Sequence, residues 1–137
     1  MSLRGERILV TGGAGFIGRR LCRLLARDGR RIRSLDNLHP QIHAPGSAVP
    51  APEDGGVEWM TGDVRDEDAL RKALSGVEAV VHLAAETGMG QSQYEIARYV
   101  SVNVQGLANL LDLAARLHLP LRRLVVASSA RVYGEGA

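Results

Sequence analysis

Apolar residues fall along this chain in short blocks that alternate between two periodicities. Arg7–Val10 (RILV) is a compact apolar run stopped by Thr11-Gly12-Gly13, the length and punctuation of a buried strand. From Phe16 to Asp28 the apolar positions Ile17, Leu21, Leu24 and Leu25 recur at helical spacing, and Gly29 suits the stop after a helix. Arg31–Asp36 reads as a second strand. Residues 37–56 hold four of the five prolines (Pro40, Pro45, Pro50, Pro52) with Gly46, Gly55 and Gly56, which predicts a long, mobile surface loop. Val57–Thr61 is a third strand. Asp66 is placed to cap a helix carrying Leu70 and Leu74, which Gly76 ends. Val77–Ala84 is almost wholly apolar, as expected of a central strand covered on both faces. A turn at Gly88 and Gly90 leads into one long helix predicted from about Ser92 to Leu117, which Pro120 keeps from continuing. Leu124–Ser128 is the fifth strand.

Strands alternating with helices imply βαβ units with right-handed crossovers. The predicted fold is therefore α/β, a Rossmann-type doubly wound parallel sheet of about five strands. At 137 residues the chain is one domain, long enough to bury roughly two thirds of its unfolded surface. Seventeen basic against fifteen acidic residues leave a formal charge of +2, which gives no reason to expect nucleic acid as a partner. Nine arginines (Arg4, Arg7, Arg19, Arg20, Arg23, Arg27, Arg30, Arg31 and Arg33) precede Asp36 and read as a solvated face on the first helix and its flanks. Cys22, the only cysteine, permits no disulfide within the chain and carries no cue for activation. No apolar run approaches the roughly 20 residues of a membrane span, and MSLRGER lacks the apolar stretch of a signal peptide. The expectation is a cytoplasmic protein with no membrane partner and no metal site.

The candidate chemistry starts with TGGAGFIG. Gly12, Gly15 and Gly18 follow a strand and open an amphipathic helix, the setting in which such glycines have a mechanism. Gly12 permits the tight turn, Gly15 lets backbone approach a pyrophosphate, and Gly18 lets the helix lie close on the strand. The helix start offers free N–H groups and partial positive charge to the phosphates. Asp36 stands 18 residues after Gly18 at the end of the second strand, where a carboxylate accepts from both adenosine ribose hydroxyls and repels a 2′-phosphate. NAD is favoured over NADP, and Arg33 is not placed to reverse that. Gly62-Asp63-Val64 would lie beside an adenine pocket, and Leu83-Ala84-Ala85 would let the chain pass close to the cofactor.

TGGAGFIG, LDNL (Leu35 to Leu38), GDVRD (Gly62 to Asp66), HLAA (His82 to Ala85) and SSARVYG (Ser128 to Gly134) occur together in that order. This set resembles the extended short-chain dehydrogenase/reductase family, the NAD-dependent epimerases and dehydratases of nucleotide sugars. Glu86 to Val100 and Val125 to Gly136 look most like dTDP-L-rhamnose 4-epimerases, with UDP-glucose 4-epimerases close behind. The resemblance implies that Gly12, Gly15, Phe16, Ile17 and Gly18 line the pyrophosphate, that Asp36 and Asn37 hold the adenosine ribose, and that Asp63 with Val64 holds the adenine. Leu83, Ala84, Ala85 and Thr87 would border the nicotinamide, and Asn103 would sit in the long helix beneath the cofactor. Ser129 takes the position of the catalytic Ser/Thr that bonds the sugar hydroxyl being oxidised, while Thr87 to Ser92 would edge the sugar pocket. The implied substrate is a dTDP- or UDP-linked sugar, and the implied assembly a homodimer. From the residues alone, Ser128 and Ser129 could also simply end a strand and Asn103 could be a helix-face asparagine. His82 reads as a packed core histidine, and Tyr94 and Tyr99 read as packing residues.

The sequence departs from the family at one decisive place. The family's tyrosine, in Tyr-x-x-x-Lys, takes the proton from the sugar hydroxyl, and the lysine lowers the tyrosine pKa. Here the residues four positions after Tyr94, Tyr99 and Tyr133 are Arg98, Asn103 and Ala137, and Lys72 is the only lysine. Only eight residues follow Ser129. The expectation is a fragment: an incomplete NAD-binding domain over residues 1–137 without a substrate-binding lobe, inactive by itself. A 4,6-dehydratase would need an acid/base pair beside Ser129, where Ala130 and Arg131 stand. A non-catalytic NAD-binding module is the alternative from a different class.

Overall fold

A computed structural model describes residues 5–49 and 56–129. Five strands, β1 (Arg7–Thr11), β2 (Arg31–Asp36), β3 (Val57–Thr61), β4 (Ala79–His82) and β5 (Arg123–Val126), form one sheet. The order is β3-β2-β1-β4-β5 and every pairing is parallel. This is a doubly wound parallel sheet, as expected from the sequence, and the topology reverses direction between β1 and β4.

Alternation along the strands sorts the core onto two faces. Leu9, Leu35 and Val80 point to one face, packing with Leu70, Ala73 and Leu74 of α2 (Glu67–Leu74) and with Leu110 and Leu113 of α5 (Gly106–Arg116). Ile8, Val10, Ile32, Val57 and Ala79 point to the other, where Cys22 and half-buried Leu21 and Leu25 of α1 (Phe16–Arg27) cover them. Burying each such leucine contributes about 1.5–3 kcal/mol. Burial raises the Cys22 thiol to about 11, so it stays protonated and acts as packing.

The ends of the helices follow the sequence cues. Gly29, at φ +77°, ends α1, and the Asp66 side chain accepts from the backbone N–H of Asp68 and Ala69 at the start of α2. Arg33 is buried on β2. It donates to Glu58 Oε2 (2.9 Å) and to the carbonyls of Lys72, Ala73 and Ser75 (2.8–3.1 Å), a charged cap on the C-terminus of α2. That engagement keeps it out of the cleft, as expected. Arg19, Arg20, Arg23 and Arg27 are exposed on α1, and Arg20 stacks over Phe16 with 4.4 Å to the ring centroid.

Three expectations need correction. The single long helix is instead a short turn α3 (Met89–Ser92), then α4 (Ile96–Val100), a π-helical turn (Ser101–Gln105) and α5. The break falls at residues 93–95, where Glu95 (φ −109°, ψ 42°) leaves the helical region, and beyond it Arg98 reaches back to Glu86 and Tyr99 to the Gly88 carbonyl. The fourth strand, Ala79–His82, is shorter than residues 77–84; beyond it Leu83 still donates its N–H to the Thr11 carbonyl (3.1 Å), and the chain then passes against the glycine turn after β1. The fifth ends at Val126 rather than Ser128. Among the described residues no helix is long and apolar enough to cross a membrane.

Candidate dinucleotide-binding cleft

A cleft of ≈ 490 Å³ opens at the carboxyl ends of the strands. Its floor is the turn between β1 and α1. Gly12 has φ +70°, and a Cβ there would stand 2.8 Å from the Ala84 amide nitrogen, so the turn both needs the left-handed region and lies against the chain leaving β4. A Cβ on Gly18 would stand 2.6 Å from Gly13 Cα. Gly18 thus brings the helix close to the turn itself, rather than to the strand as the sequence suggested. Gly15 is different. Its φ of −69° and ψ of 175° suit any residue, and its only protein neighbour would be the Gly12 carbonyl at 3.3 Å. Nothing in the protein demands a glycine there; what a side chain would invade is the cleft.

The start of α1 completes that cradle. No side chain caps it, and its first turn holds no acidic residue. Helix geometry leaves the first amides without partners inside the helix, and Gly15, Phe16, Ile17 and Gly18 line the cleft. Phe16 and Ile17 are exposed. The residues present fit an anionic diphosphate.

Asp36 closes the adjacent wall. It is buried, and its Oδ2 accepts the Ala14 N–H at 3.0 Å while its Oδ1 accepts the Leu38 N–H at 2.9 Å. The second bond holds Leu38 at φ 52°, a backbone conformation costly for leucine. Nε2 of His43 stands 3.6 Å from Oδ1. Each carboxylate oxygen keeps one lone-pair direction for a further donor. Beyond it, Asn37 Nδ2 donates to Asp63 Oδ2 (3.1 Å), and Arg65 grips Asp63 through Nε (2.9 Å) and Nη2 (2.7 Å). The Arg65 guanidinium holds the Asp63 carboxyl well below the usual carboxylate range. Val64 is buried and packs against Gly106, where a Cβ would stand 3.4 Å from Val64 Cβ.

Along the opposite wall run Leu83, Ala84, Ala85 and Thr87. The same segment also borders a second recess of ≈ 440 Å³, which Asn103 and Ser129 line. The other residues expected to hold the cofactor lie on the first cleft, whereas of the segment expected to edge the sugar pocket Gly88, Met89 and Ser92 lie on the second recess. Asn103 sits in the π-helical turn and works on protein: its Oδ1 accepts the Glu86 N–H (2.8 Å) and its Nδ2 donates to the Glu86 carbonyl (3.1 Å). Ser129 is exposed beyond β5. The companion motif residues Arg131 to Gly134 lie outside the described residues. His82 is a buried histidine, as expected; its Nδ1 lies 2.9 Å from Thr11 Oγ1, which also accepts the Ala84 N–H (3.3 Å). Burial lowers its pKa and keeps the ring neutral.

The sequence reading missed several cleft residues. His39, Ile42 and His43 of the proline-rich segment line it, so residues 37–43 form part of the site rather than a loop apart from it. Gln41 bonds Gln91 and accepts from Arg98, tying that segment to α3 and α4. Gly13 is needed because a Cβ there would stand 2.8 Å from Ser34 Cβ. The only sequence signal for the histidines was their closeness to Asp36.

The fold and cleft define a dinucleotide-binding α/β domain. Residues 8–137 match the NAD dependent epimerase/dehydratase family, and the chain belongs to it. It is 44% identical over 135 residues to a dTDP-L-rhamnose 4-epimerase of Burkholderia thailandensis, covering 97% of this chain and 37% of that protein. To a UDP-glucose 4-epimerase of Streptomyces lividans it is 36% identical, covering 94% of this chain and 37% of that protein. A crystal structure of a UDP-glucose 4-epimerase from Stenotrophomonas maltophila, with bound NAD and formylated UDP-arabinopyranose, superposes with a TM-score of 0.81 at 29% identity. That match covers 96% of this chain and 39% of the other. The chain thus spans well under half the length of these relatives.

Proposed function

We propose that this chain binds NAD along the first cleft and forms the cofactor-binding part of a nucleotide-sugar 4-epimerase acting on a dTDP- or UDP-linked sugar. One observation carries the cofactor reading: Asp36 Oδ2 and the Ala14 N–H are 3.0 Å apart, so the carboxylate and the helix start share one wall. A single adenosine diphosphate can then touch both, its phosphates at Gly15 to Gly18 and its ribose hydroxyls at the free lone pairs of Asp36. The buried negative charge of Asp36 opposes a 2′-phosphate, which favours NAD over NADP. Asp63 and Val64 face the adenine, and Leu83 to Thr87 lead toward the nicotinamide. Calorimetric titration of the chain with both dinucleotides tests this; tighter binding of NADP would overturn the role given to Asp36.

The sugar chemistry rests on the relatives named above. Held by the residues of the first cleft, NAD would supply reversible hydride acceptance at the sugar C4, with no net redox change over a full epimerisation. The Ser129 hydroxyl, on the second recess, would bond the sugar hydroxyl that loses its proton. No Tyr-x-x-x-Lys is present in the chain to take that proton. The 137-residue chain by itself therefore turns over no sugar, and conversion of a dTDP- or UDP-sugar by the pure chain would refute this.

A further inference from the structure

Residues 37–43 leave the tip of β2 as a folded arm rather than a slack loop. Asp36 Oδ1 accepts the Leu38 N–H (2.9 Å) and Asn37 Oδ1 accepts the His39 N–H (3.1 Å), which fixes the base of the arm. The His39 carbonyl closes its turn, accepting from the N–H of Ile42 and of His43 (both 2.9 Å), while His39 Nδ1 accepts the Gln41 N–H (3.3 Å). His39, Ile42 and His43 line the cleft, and Gln41 between them does not. The arm therefore turns its flanks to the cleft and its tip toward the opposite wall.

That wall is built to receive it. Arg98 on α4 donates to Glu86 Oε2 (2.7 Å) and to Glu95 Oε2 (2.6 Å), so two carboxylates fix where its guanidinium points. Tyr99 Oη donates to the Gly88 carbonyl (2.7 Å) and pins the chain between β4 and α3. Into this frame Gln41 sets a side-chain amide with both ends used. Its Oε1 accepts from Arg98 Nη2 (3.2 Å), and its Nε2 donates to Gln91 Oε1 of α3. A Cβ on Gly88 would stand 2.8 Å from Tyr99 Oη and 3.5 Å from Gln41 Nε2, so the glycine makes room for the junction.

The sheet order gives this contact its meaning. β1 lies between β2 and β4, and the glycine turn after β1 is the floor of the cleft. A contact between the loop after β2 and the segment after β4 therefore spans that floor. The adenosine and nicotinamide ends proposed above lie on the same two sides. A bound dinucleotide then follows the course of the arm, between the arm and the floor.

We propose that residues 37–43 are a strap, latched by Gln41 onto Gln91 and Arg98, that covers a bound dinucleotide and sets how fast it enters and leaves. This rests on the dinucleotide reading above and adds to it a control on exchange. The latch bonds protein to protein rather than protein to ligand, so it must open for entry and for exit alike. Removing it speeds both steps by the same factor and leaves the equilibrium affinity in place, whereas removing an ordinary ligand contact chiefly speeds exit. Arg98 is a positioning residue, acting through Gln41.

The test is stopped-flow binding of NADH to the full 137-residue chain, followed by nicotinamide fluorescence, with dissociation driven by excess NAD. Gln41→Ala should raise the association and dissociation rates together by about fivefold or more, the range of one or two hydrogen bonds, with Kd held within about twofold. Gln41 is exposed, so the circular dichroism should not change. In a Gln41→Cys/Gln91→Cys chain a short bismaleimide should lock the strap, and the buried Cys22 is spared. Dinucleotide loaded before locking should survive gel filtration, and dinucleotide added afterwards should bind more slowly by about tenfold or more. Unchanged rates in Gln41→Ala, or faster dissociation alone with weaker affinity, would overturn the strap while leaving the cofactor reading intact. A locked chain that exchanges as fast as the unlocked one would do the same. Failure of the wild type to bind either dinucleotide would instead remove the cofactor reading and the strap with it.

Discussion

β1 and β5 belong to one parallel sheet, yet their surroundings differ. Ile8, Leu9, Val10 and Thr11 are buried between helices on both faces, whereas Leu124, Val125 and Val126 are 37–55% exposed among the described residues, of which only those of β4 pair with their strand. The two ends of the cleft follow the same division. Asp36 and Asp63, at the tips of β2 and β3, are each fixed by several donors; Ser128 and Ser129, beyond β5, are exposed. The adenosine half of the site is built by its own strands and turns. The other half is a margin, and its chemistry depends on what stands next to it.

The sharpest way to break this contrast is to empty each strand. Leu9→Ala should cost about 2–5 kcal/mol, as for other buried leucines, while Val125→Ala should cost under about 1 kcal/mol. Urea denaturation of the two variants decides it, and equal losses would mean that β5 is as well supported as β1. Within the glycine turn, Gly12→Ala combines a left-handed backbone with a collision against Ala84, for a loss of about 3 kcal/mol. Gly15→Ala should leave stability within about 0.5 kcal/mol, yet weaken NAD binding, because its space belongs to the ligand.

Asp36→Asn should lower NAD affinity by about tenfold or more, the effect of making a charged acceptor neutral. Ser129→Ala should leave NAD affinity unchanged, since Ser129 lines only the second recess. A titration in which both variants lose affinity equally would show that the two ends act as one site. The smallest effect is that of pH. Burial depresses the pKa of His82, so between its folded value and the ordinary 6.5 the unfolded chain binds more protons. Stability therefore falls as pH drops below about 6.5, by at most about 1.4 kcal/mol per pH unit. The denaturation midpoint of the wild type should drop more between pH 7 and pH 5 than that of His82→Gln.

Much of the adenosine half was legible in the sequence, because its signals are local. β2 and β3 have the bounds their apolar runs and flanking glycines suggested, and the spacing of Gly12, Gly15 and Gly18 marked the turn between β1 and α1 that lines the cleft. What stayed hidden depends on partners far along the chain. Gly13 is required by Ser34, which no spacing rule pairs with it. The helix read as continuous from Ser92 is broken at residues 93–95, and beyond the break Arg98 and Tyr99 bond back to Glu86 and Gly88, contacts that no spacing rule announces. The grip of Arg65 on Asp63 looks in sequence like any charged pair in a turn, and its three bonds to the carboxylate show only in three dimensions.

The pairing of β1 with β4 also bears on how the chain acquires its shape. Thr11 and His82, partners at the tips of those strands, are 71 residues apart, and everything between must be placed before they meet. Closing so long a loop is slow compared with local helix formation, and a sheet that is parallel throughout has no hairpin to speed it. β4 follows β1, β2 and β3 in the chain, so the edge of β1 that it covers has its partner only once residues 79–82 have been made. The floor of the cleft, which needs Ala84 against Gly12, is thus among the last parts to form.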